Sequence, residues 1–477
     1  MPIREDIESS IGRGKKEPLI SKDDGFAAAG TARSNGSIGM VLLSTAVAVC
    51  GSIAFGSCIG YSAPTQAGIM EDIGLSPSQY AIFGSILSVS AMIGAITSGR
   101  IADYVGRKGA MRTSAGASII GWIVIYFAKD ALMLYVGRFS TGYGMGVFSY
   151  VVPVFIAEIA PKNLRGGLTT LNQLLIVSGS SAGFIFGTFV TWRSLALIGI
   201  LPSLVLLAGL LFIPESPRWL AKFGSPTEFK AALQNLRGKD ANIAEEAAAI
   251  DEVIKTMQSL PRARLQDLFQ SRYIRSIIVG VGLMVCQQFG GVNAICFYAS
   301  ETFVSAGFSS SSMGNILMGS IQVPITGLGA YLMDKTGRRP LLMASASGTF
   351  LGTFLTGLSF YFRGQGIHME WVPALALSGI LVYMGAFSIG MGAIPWVIMS
   401  EIFPINIKGL AGSLVTLVSW FGSWIMTYAF SFLMSWSASG TFFLFAGVCA
   451  GTVVFVARFV PETKNRTLEE IQASMNS

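Results

Sequence analysis

Twelve apolar runs, each near 20 residues and almost free of charge, follow one another along this chain. They fall at roughly 38–61, 80–99, 112–128, 131–155, 168–191 and 195–213, then at 274–299, 313–333, 340–361, 373–399, 410–434 and 440–460. A run of that length matches the hydrocarbon thickness of a bilayer, and a helix carries it across with every backbone group satisfied. The 112–128 run is the weakest, because its uncharged stretch is the shortest. With 52% hydrophobic and only 12% charged residues among 477, the chain also lies far from soluble proteins, in which about a quarter of residues are charged. The fold class is therefore an all-α polytopic membrane protein with twelve transmembrane helices.

All but four of the 33 Lys and Arg lie in or beside one alternating set of loops and tails. The exceptions are Lys129, Arg193 and Arg363 in the opposite loops, and Arg138 within a span. Such asymmetry predicts cytoplasmic N- and C-termini and a cytoplasmic linker, 214–273, between the halves 38–213 and 274–460. The net charge of +7 is then a topology signal, since basic residues scattered between spans do not make the single face that nucleic acid needs. Residues 1–37 are polar, mixed in charge and without an apolar core, and read as a disordered cytoplasmic tail. Residues 461–477 form a second tail. In the linker, Ser225-Pro226-Thr227-Glu228 offers an N-cap, a proline at the first helical position and a glutamate at the third. Asn242 with Glu245 opens a similar turn before an alanine-rich stretch, so short cytoplasmic helices are expected.

The halves repeat each other at three places. Asp103-Tyr104-Val105-Gly106-Arg107-Lys108 after the second span matches Asp334-Lys335-Thr336-Gly337-Arg338-Arg339 after the eighth. Glu158-Ile159-Ala160-Pro161 with Arg165-Gly166 matches Glu401-Ile402-Phe403-Pro404 with Lys408-Gly409, and Pro214-Glu215-Ser216-Pro217-Arg218 matches Pro461-Glu462-Thr463. The order is conserved and the offsets are 231, 243 and 247 residues. Two six-helix halves related by an axis along the membrane normal is the transporter arrangement such a repeat predicts. Carboxylates at the cytoplasmic helix ends and arginines in the loops can pair across the halves and close the inner vestibule. Asp103 with Arg107, and Asp334 with Arg338, would also brace short loops that Gly106 and Gly337 allow to turn tightly.

These motifs resemble the major facilitator superfamily and, within it, the sugar-porter family. More specific than the loops are Arg138 in a Gly-Arg-x-x-x-Gly-x-Gly-x-Gly run, Gln287-Gln288-x-x-Gly291-x-Asn293 and Gly392-Ala393-Ile394-Pro395-Trp396. Phe55-Gly56-x-x-x-Gly60-Tyr61-Ser62-x-Pro64 and compact outer loops are similar to plant early-responsive-to-dehydration-type monosaccharide carriers and to the intracellular class of facilitative glucose carriers. The resemblance implies a sugar site at mid-membrane, and the residue types agree. A neutral hexose offers hydroxyls and weakly apolar ring faces, which amides and aromatic platforms recognise. Gln173, Gln287, Gln288, Asn293 and Gln322 are amides within the spans, Trp396 is the expected ring-face contact, and Phe55 and Trp420 are further aromatic candidates. On an ideal helix Asn293 lies about 140° around from Gln288, so Gly290-Gly291 is expected to break the seventh span and bring both to one cavity. Gly390, Gly392 and Pro395 predict the same in the tenth.

Departures from the resemblance are equally informative. Where proton-coupled sugar porters carry an Asp in the first span, this chain has Cys58, so Arg138 lacks the acidic partner of a protonation switch. That favours facilitated uniport over proton coupling, unless another carboxylate such as Glu158 carries the proton. Lys408 replaces the usual Arg and loses its two-pronged pairing, and Ser419 stands where relatives often have an amide. The gate set is thus Asp103, Arg107, Glu158, Arg165, Glu215, Arg218, Asp334, Arg338, Glu401, Lys408 and Glu462, with Arg138 and Cys58 as the coupling position. His368 is the single histidine and lies in an outer loop, and the five cysteines suit neither zinc nor a disulfide framework. No enzyme, metal or cofactor is expected. Gly142-Tyr143-Gly144-Met145-Gly146 follows no strand and reads as a packing face. Lys15-Lys16-Glu17-Pro18-Leu19-Ile20 resembles a vacuolar dileucine signal, which favours an endomembrane over the plasma membrane. The reading is a monosaccharide transporter, glucose foremost, that works as a monomer by alternating access. A proton-coupled symporter or exporter is the alternative, and a non-transporting sugar sensor is disfavoured by a short C-terminal tail.

Overall fold

A computed structural model describes residues 38–161, 164–259, 265–308, 311–404, 407–464, 466 and 470–471. The expected N-terminal tail, the Lys15–Ile20 segment and most of the C-terminal tail lie outside these residues. Twelve spans are present, and no strand occurs among the described residues. The first six are Gly39–Gly60, Pro77–Tyr104, Gly106–Tyr126, Ala131–Ile159, Arg165–Phe186 and Trp192–Gly209. The seventh is broken into Ser271–Phe289, Val292–Phe297 and Ala299–Ser305, and the eighth and ninth are Ser312–Thr336 and Arg338–Gln365. The tenth runs Val372–Ala386, a π-helical turn Phe387–Met391 and Ile394–Ile402, followed by Lys408–Trp436 and Ala438–Phe459.

Ten of these helical segments are long and apolar enough to cross a membrane. The third and fifth fall short because Arg107, Lys108 and Arg112 open one, and Arg165, Asn172 and Gln173 polarise the other. The fifth also ends five residues before its expected limit of 191, at Phe186, because residues 187–191 turn to deliver Thr191 as the N-cap of the sixth. A further helix, Ser62–Ile73, continues from the first span through Tyr61, where the apolar pattern predicts only a connection between spans. Gly74 ends it in the left-handed conformation, at φ 73°.

The orphaned N–H groups at span starts are satisfied in two ways. On the face opposite the charged loops, Ser76, Asp130, Thr191 and Ser437 cap spans with their own side chains, each satisfying an otherwise orphaned N–H. On the charged face the third and ninth spans begin without a side-chain cap of their own. Glu215 fills that role for the third by accepting from Lys108 N at 3.1 Å, and Glu462 for the ninth by accepting from Arg338 N and Arg339 N at 3.1 and 3.0 Å. A carboxylate at a helix N-terminus is favoured by the helix dipole as well as by the hydrogen bonds. Gly106, the first residue of the third span, and Gly337, just before the ninth, have φ 81° and 97°, and a β-carbon there would stand 2.6 and 2.7 Å from the Glu215 and Glu462 oxygens.

The linker helices form as expected. Pro226–Arg237 opens on a complete Ser225/Glu228 capping box, and Ala244 N donates to Asn242 Oδ1 at the start of Ala244–Ser259. Phe229, Leu233 and Ala247 close a small core between these two helices. The halves themselves meet where the second span packs on the eleventh and the fifth on the eighth. Gly319 permits the latter approach, since a β-carbon would stand 2.9 Å from Ser181 O.

Candidate functional site

The seventh span breaks at Gly291, whose φ is 91° and whose missing β-carbon leaves room for Phe445, 2.7 Å from where one would sit. The carbonyl freed at Gly290 accepts from Tyr383 Oη at 3.0 Å. The break turns Asn293 back toward Gln288, so that Asn293 Nδ2 donates to Gln288 Oε1 at 2.6 Å. The 140° separation of a straight helix is thereby removed. The tenth span is repaired by the ninth: Met391 N donates to Ser345 Oγ at 2.8 Å, and Ser345 Oγ donates to Ala386 O. Irregular backbone persists in a membrane when neighbours satisfy it in this way.

From these two breaks a polar chain runs across the molecule. Gln287 Nε2 donates to Met391 O at 2.6 Å, and Gln288 Nε2 donates to Gln287 Oε1 and to Ser419 Oγ at 3.2 and 3.0 Å. Asn293 Nδ2 also donates to Ser423 Oγ at 2.8 Å, and Ser423 Oγ meets Ser88 Oγ at 2.9 Å. The chain therefore links the tenth, seventh and eleventh spans to the second, in the other half. Gln287 and Gln288 are buried and Asn293 is half-buried. A cavity of about 10 Å³ lies beneath the break, bordered by Gln287, Gly290, Tyr383 and Met391, room for roughly one water.

The aromatic candidates divide. Phe55 and Trp420 meet across the halves with ring centroids 6.2 Å apart, and Trp420 adjoins Ser419 of the polar chain. Trp396 packs instead in the apolar cluster around Met391, Ile394 and Phe403. Gln173 is half-buried, in the fifth span. Gln322, in the eighth, is buried at 4% exposure, and its Nε2 has no hydrogen-bond partner. A buried donor without a partner is uncommon enough in native proteins to point to a ligand or water. Gln173, Gln322 and Trp396 are not joined to the amide chain by hydrogen bonds among the described residues.

Arg138 is fully buried in the fourth span. It donates to Cys58 O at 3.1 Å and to Ser62 Oγ. Its guanidinium lies 5.0 and 4.6 Å from the Tyr61 and Phe83 ring centroids. No carboxylate pairs with it among the described residues.

The charged face departs from the expected cross-pairing. Arg107 grips Glu158 through two hydrogen bonds of 2.8 Å and also meets Asp103 at 3.1 Å. Ser216 Oγ donates to the same Glu158, and Lys222 reaches Asp103 at 3.4 Å. In the second half Arg338 meets Glu401 at 3.0 Å through one nitrogen. The ion pairs between described residues thus close within each half and its adjoining linker. Asp334 does not brace Arg338: its side chain is exposed, and the guanidinium is drawn to Glu401 and the Met333 carbonyl instead. Lys408 donates to Ser400 O at 2.7 Å, while Arg165 and Arg218 make no ion pair with another described residue. Burial pushes the Glu215 carboxyl above the usual carboxylate range despite N–H donors from Ser216 and Lys108. Burial pushes Glu462 the same way, but N–H groups of Lys464, Arg338, Arg339 and Thr463 outweigh it and hold the carboxyl below that range.

Ser88 and Ser423 are site residues that the sequence alone does not reveal. Serines in spans are common and usually bond to their own helix, as Ser57 does to Ile53 O, so type and position alone carried no signal for them.

Two repeated six-helix halves around broken, amide-lined helices define a secondary carrier of the major facilitator type. Residues 39–475 match the sugar (and other) transporter family, and the chain belongs to that family. It is 62% identical to the sugar transporter ERD6-like 16 of Arabidopsis thaliana over 99% of each chain. It is 59% identical to ERD6-like 7 of the same plant over 92% of this chain and 94% of that one. Among solved structures, the inward open xylose transporter XylE from E. coli superposes with a TM-score of 0.77 at 25% identity, covering 91% of this chain and 99% of that chain. The proton:xylose symporter XylE bound to 6-bromo-6-deoxy-D-glucose gives 0.73 with the same coverage.

Proposed function

We propose that the chain transports a neutral monosaccharide, glucose foremost, by alternating access and as a facilitative uniporter. The observation that carries this reading is the chain of amides at the break of the seventh span, reinforced by the orphaned donor of Gln322. Gln287, Gln288, Asn293, Gln322 and Gln173 would exchange hydrogen bonds with sugar hydroxyls, while Trp396, Phe55 and Trp420 face the ring. Each amide both donates and accepts, so a sugar hydroxyl can take the place of a present partner at Gln287, Gln288 or Asn293 and satisfy the orphaned donor of Gln322. The relatives' names as sugar transporters and the glucose analogue bound to XylE support the substrate class.

Uniport is supported by Arg138, whose neighbours among the described residues include no acid able to cycle a charge. Glu158, the alternative proton carrier, is held by Arg107 and Ser216. When the charged face closes, Arg165, Arg218 and Asp334 are the gate members free to find partners in the opposite half. The gate set otherwise keeps each half rigid: Arg107 with Glu158, Arg338 with Glu401, and Glu215 and Glu462 at the helix starts. The charged face is read as cytoplasmic, with both termini on it, the membrane as an endomembrane such as the vacuole, and the working unit as a monomer.

Labelled D-glucose uptake and counterflow in proteoliposomes test the reading, repeated with and without an imposed pH gradient. Saturable flux with unchanged steady-state accumulation is expected. No saturable flux for any hexose in a panel would overturn it, and accumulation that follows the gradient would establish the proton-coupled alternative.

A further inference from the structure

Two side-chain hydrogen bonds join described residues of one half to the other, and both lie away from the charged face. One is Ser88 to Ser423 at mid-membrane. The second is Gln66 Nε2 to Glu301 Oε2 at 2.7 Å. We propose that Gln66 and Glu301 form the latch that holds the outer mouth of the carrier shut, and that this bond must break for the mouth to open. The proposal rests on the alternating-access reading above and names two residues that act on it.

Placement argues for a latch instead of a permanent strut. Gln66 lies on Ser62–Ile73, which extends the first span beyond Tyr61. Glu301 lies on Ala299–Ser305, the last piece of the seventh span. That piece is separated from the body of its span by two interruptions, the left-handed turn at Gly291 and the non-helical Tyr298 at φ −119°, ψ 22°. It can therefore swing without unfolding either helix, and the break that aims Asn293 at Gln288 is the hinge that carries Glu301. These two end segments contact each other directly.

The chemistry has a suitable strength. A neutral amide donating to a carboxylate is a charge-assisted bond, stronger than a neutral pair. It lacks the two-pronged geometry that fastens Arg107 to Glu158 within one half. The acid also fixes the amide's orientation: turned over, the Gln66 carbonyl would face the carboxylate oxygen and be repelled. In the observed orientation Gln66 Oε1 is buried without a partner, so Glu301 is what holds the side chain in place.

Hydrogen exchange of the full chain in lipid nanodiscs, without sugar, tests the latch at residues 62–73 and 299–305. Gln66→Glu sets two carboxylates face to face and should speed exchange at both segments about tenfold, the weight of one charge-assisted bond. The reciprocal double variant, Gln66→Glu with Glu301→Gln, restores an acid–amide pair and should return both segments to within about twofold of the native rate. Restoration is not expected of residues that merely fill space. Unchanged exchange in Gln66→Glu, or a double variant as fast as the single one, would overturn the latch. If Gln66→Glu does not fold, Glu301→Gln alone carries the test, because it keeps volume and loses only charge. Exchange several-fold faster at both segments supports the latch and native exchange overturns it. Since no sugar is present, a failure of sugar flux would leave this result standing, and the reverse also holds.

Discussion

Arg138 donates to the main-chain carbonyl of Cys58 at 3.1 Å, so the position that could hold a titrating acid offers this cation only a carbonyl and a buried thiol. The guanidinium is accommodated by Ser62 and the faces of Tyr61 and Phe83, partners whose charge does not change at ordinary pH. Cys58→Asp should convert this fixed cation into a protonation switch. Sugar accumulation in proteoliposomes should then rise with an imposed gradient, up to about tenfold for each pH unit, while the native chain, as a proposed uniporter, should equilibrate without accumulation. Equal behaviour of the two chains would show that Arg138 plays no part in coupling.

The two halves do not hold their repeated acid–arginine pair equally. Glu158 receives both prongs of Arg107 and the Ser216 hydroxyl, whereas Glu401 receives one prong of Arg338 and keeps an orphaned Oε2. Removing one member of a well-buried pair costs about 3 kcal/mol, because the remaining charge is stranded. Glu158→Gln should therefore lower thermal stability by about that amount, and Glu401→Gln by roughly half as much. Unfolding in detergent measures both, and an equal or reversed order would refute the asymmetry.

The architecture was legible because lipid enforces a strong pattern: apolar length, charge placement and a repeat matched at three places together predict twelve spans in two halves. The break at Gly290-Gly291 was legible too, since three amides on one helix could not share a face without it. Helix Ser62–Ile73 was not, because its mixed composition matches a loop as well as an amphipathic turn. The exposed Asp334 shows a second limit. Repetition of Asp-x-x-Gly-Arg predicts which groups are near one another, but Arg338 chooses among several nearby acceptors by geometry that spacing does not encode. Ser88 and Ser423 became visible as partners only when the second and eleventh spans were packed together.

Glu215 and Glu462 occupy repeated positions yet should shape acid stability in opposite directions. Glu215 is held above the ordinary range, so the folded chain retains that proton more tightly than the unfolded one. Its contribution declines as pH rises from the ordinary range through the raised value. Glu462 is held below the ordinary range, so its contribution is present above that range and is lost as pH falls through the folded value. Glu215→Gln should be as stable as the native chain or more so at pH 7. Glu462→Gln should be less stable at pH 7, with the difference vanishing in acid. Melting curves from pH 3 to 7 check the signs, and a common sign for both would contradict the capping geometry.

Gly291 is where backbone conformation, packing and the candidate site converge. Its φ of 91° is one that L side chains rarely adopt, and a β-carbon would sit 2.7 Å from the Phe445 ring. Gly291→Ala should therefore cost about 1–2 kcal/mol from the backbone alone, with the crowded ring adding to it. If the span straightens to escape that strain, Asn293 swings away from Gln288, and sugar affinity should fall more than the maximal rate of counterflow. Trimming the obstructing ring with Phe445→Leu relieves the contact but not the backbone strain. It should recover part of the thermal stability of Gly291→Ala and little of its affinity. Full recovery of affinity by Phe445→Leu would mean that steric crowding, and not the left-handed turn, positions the amides.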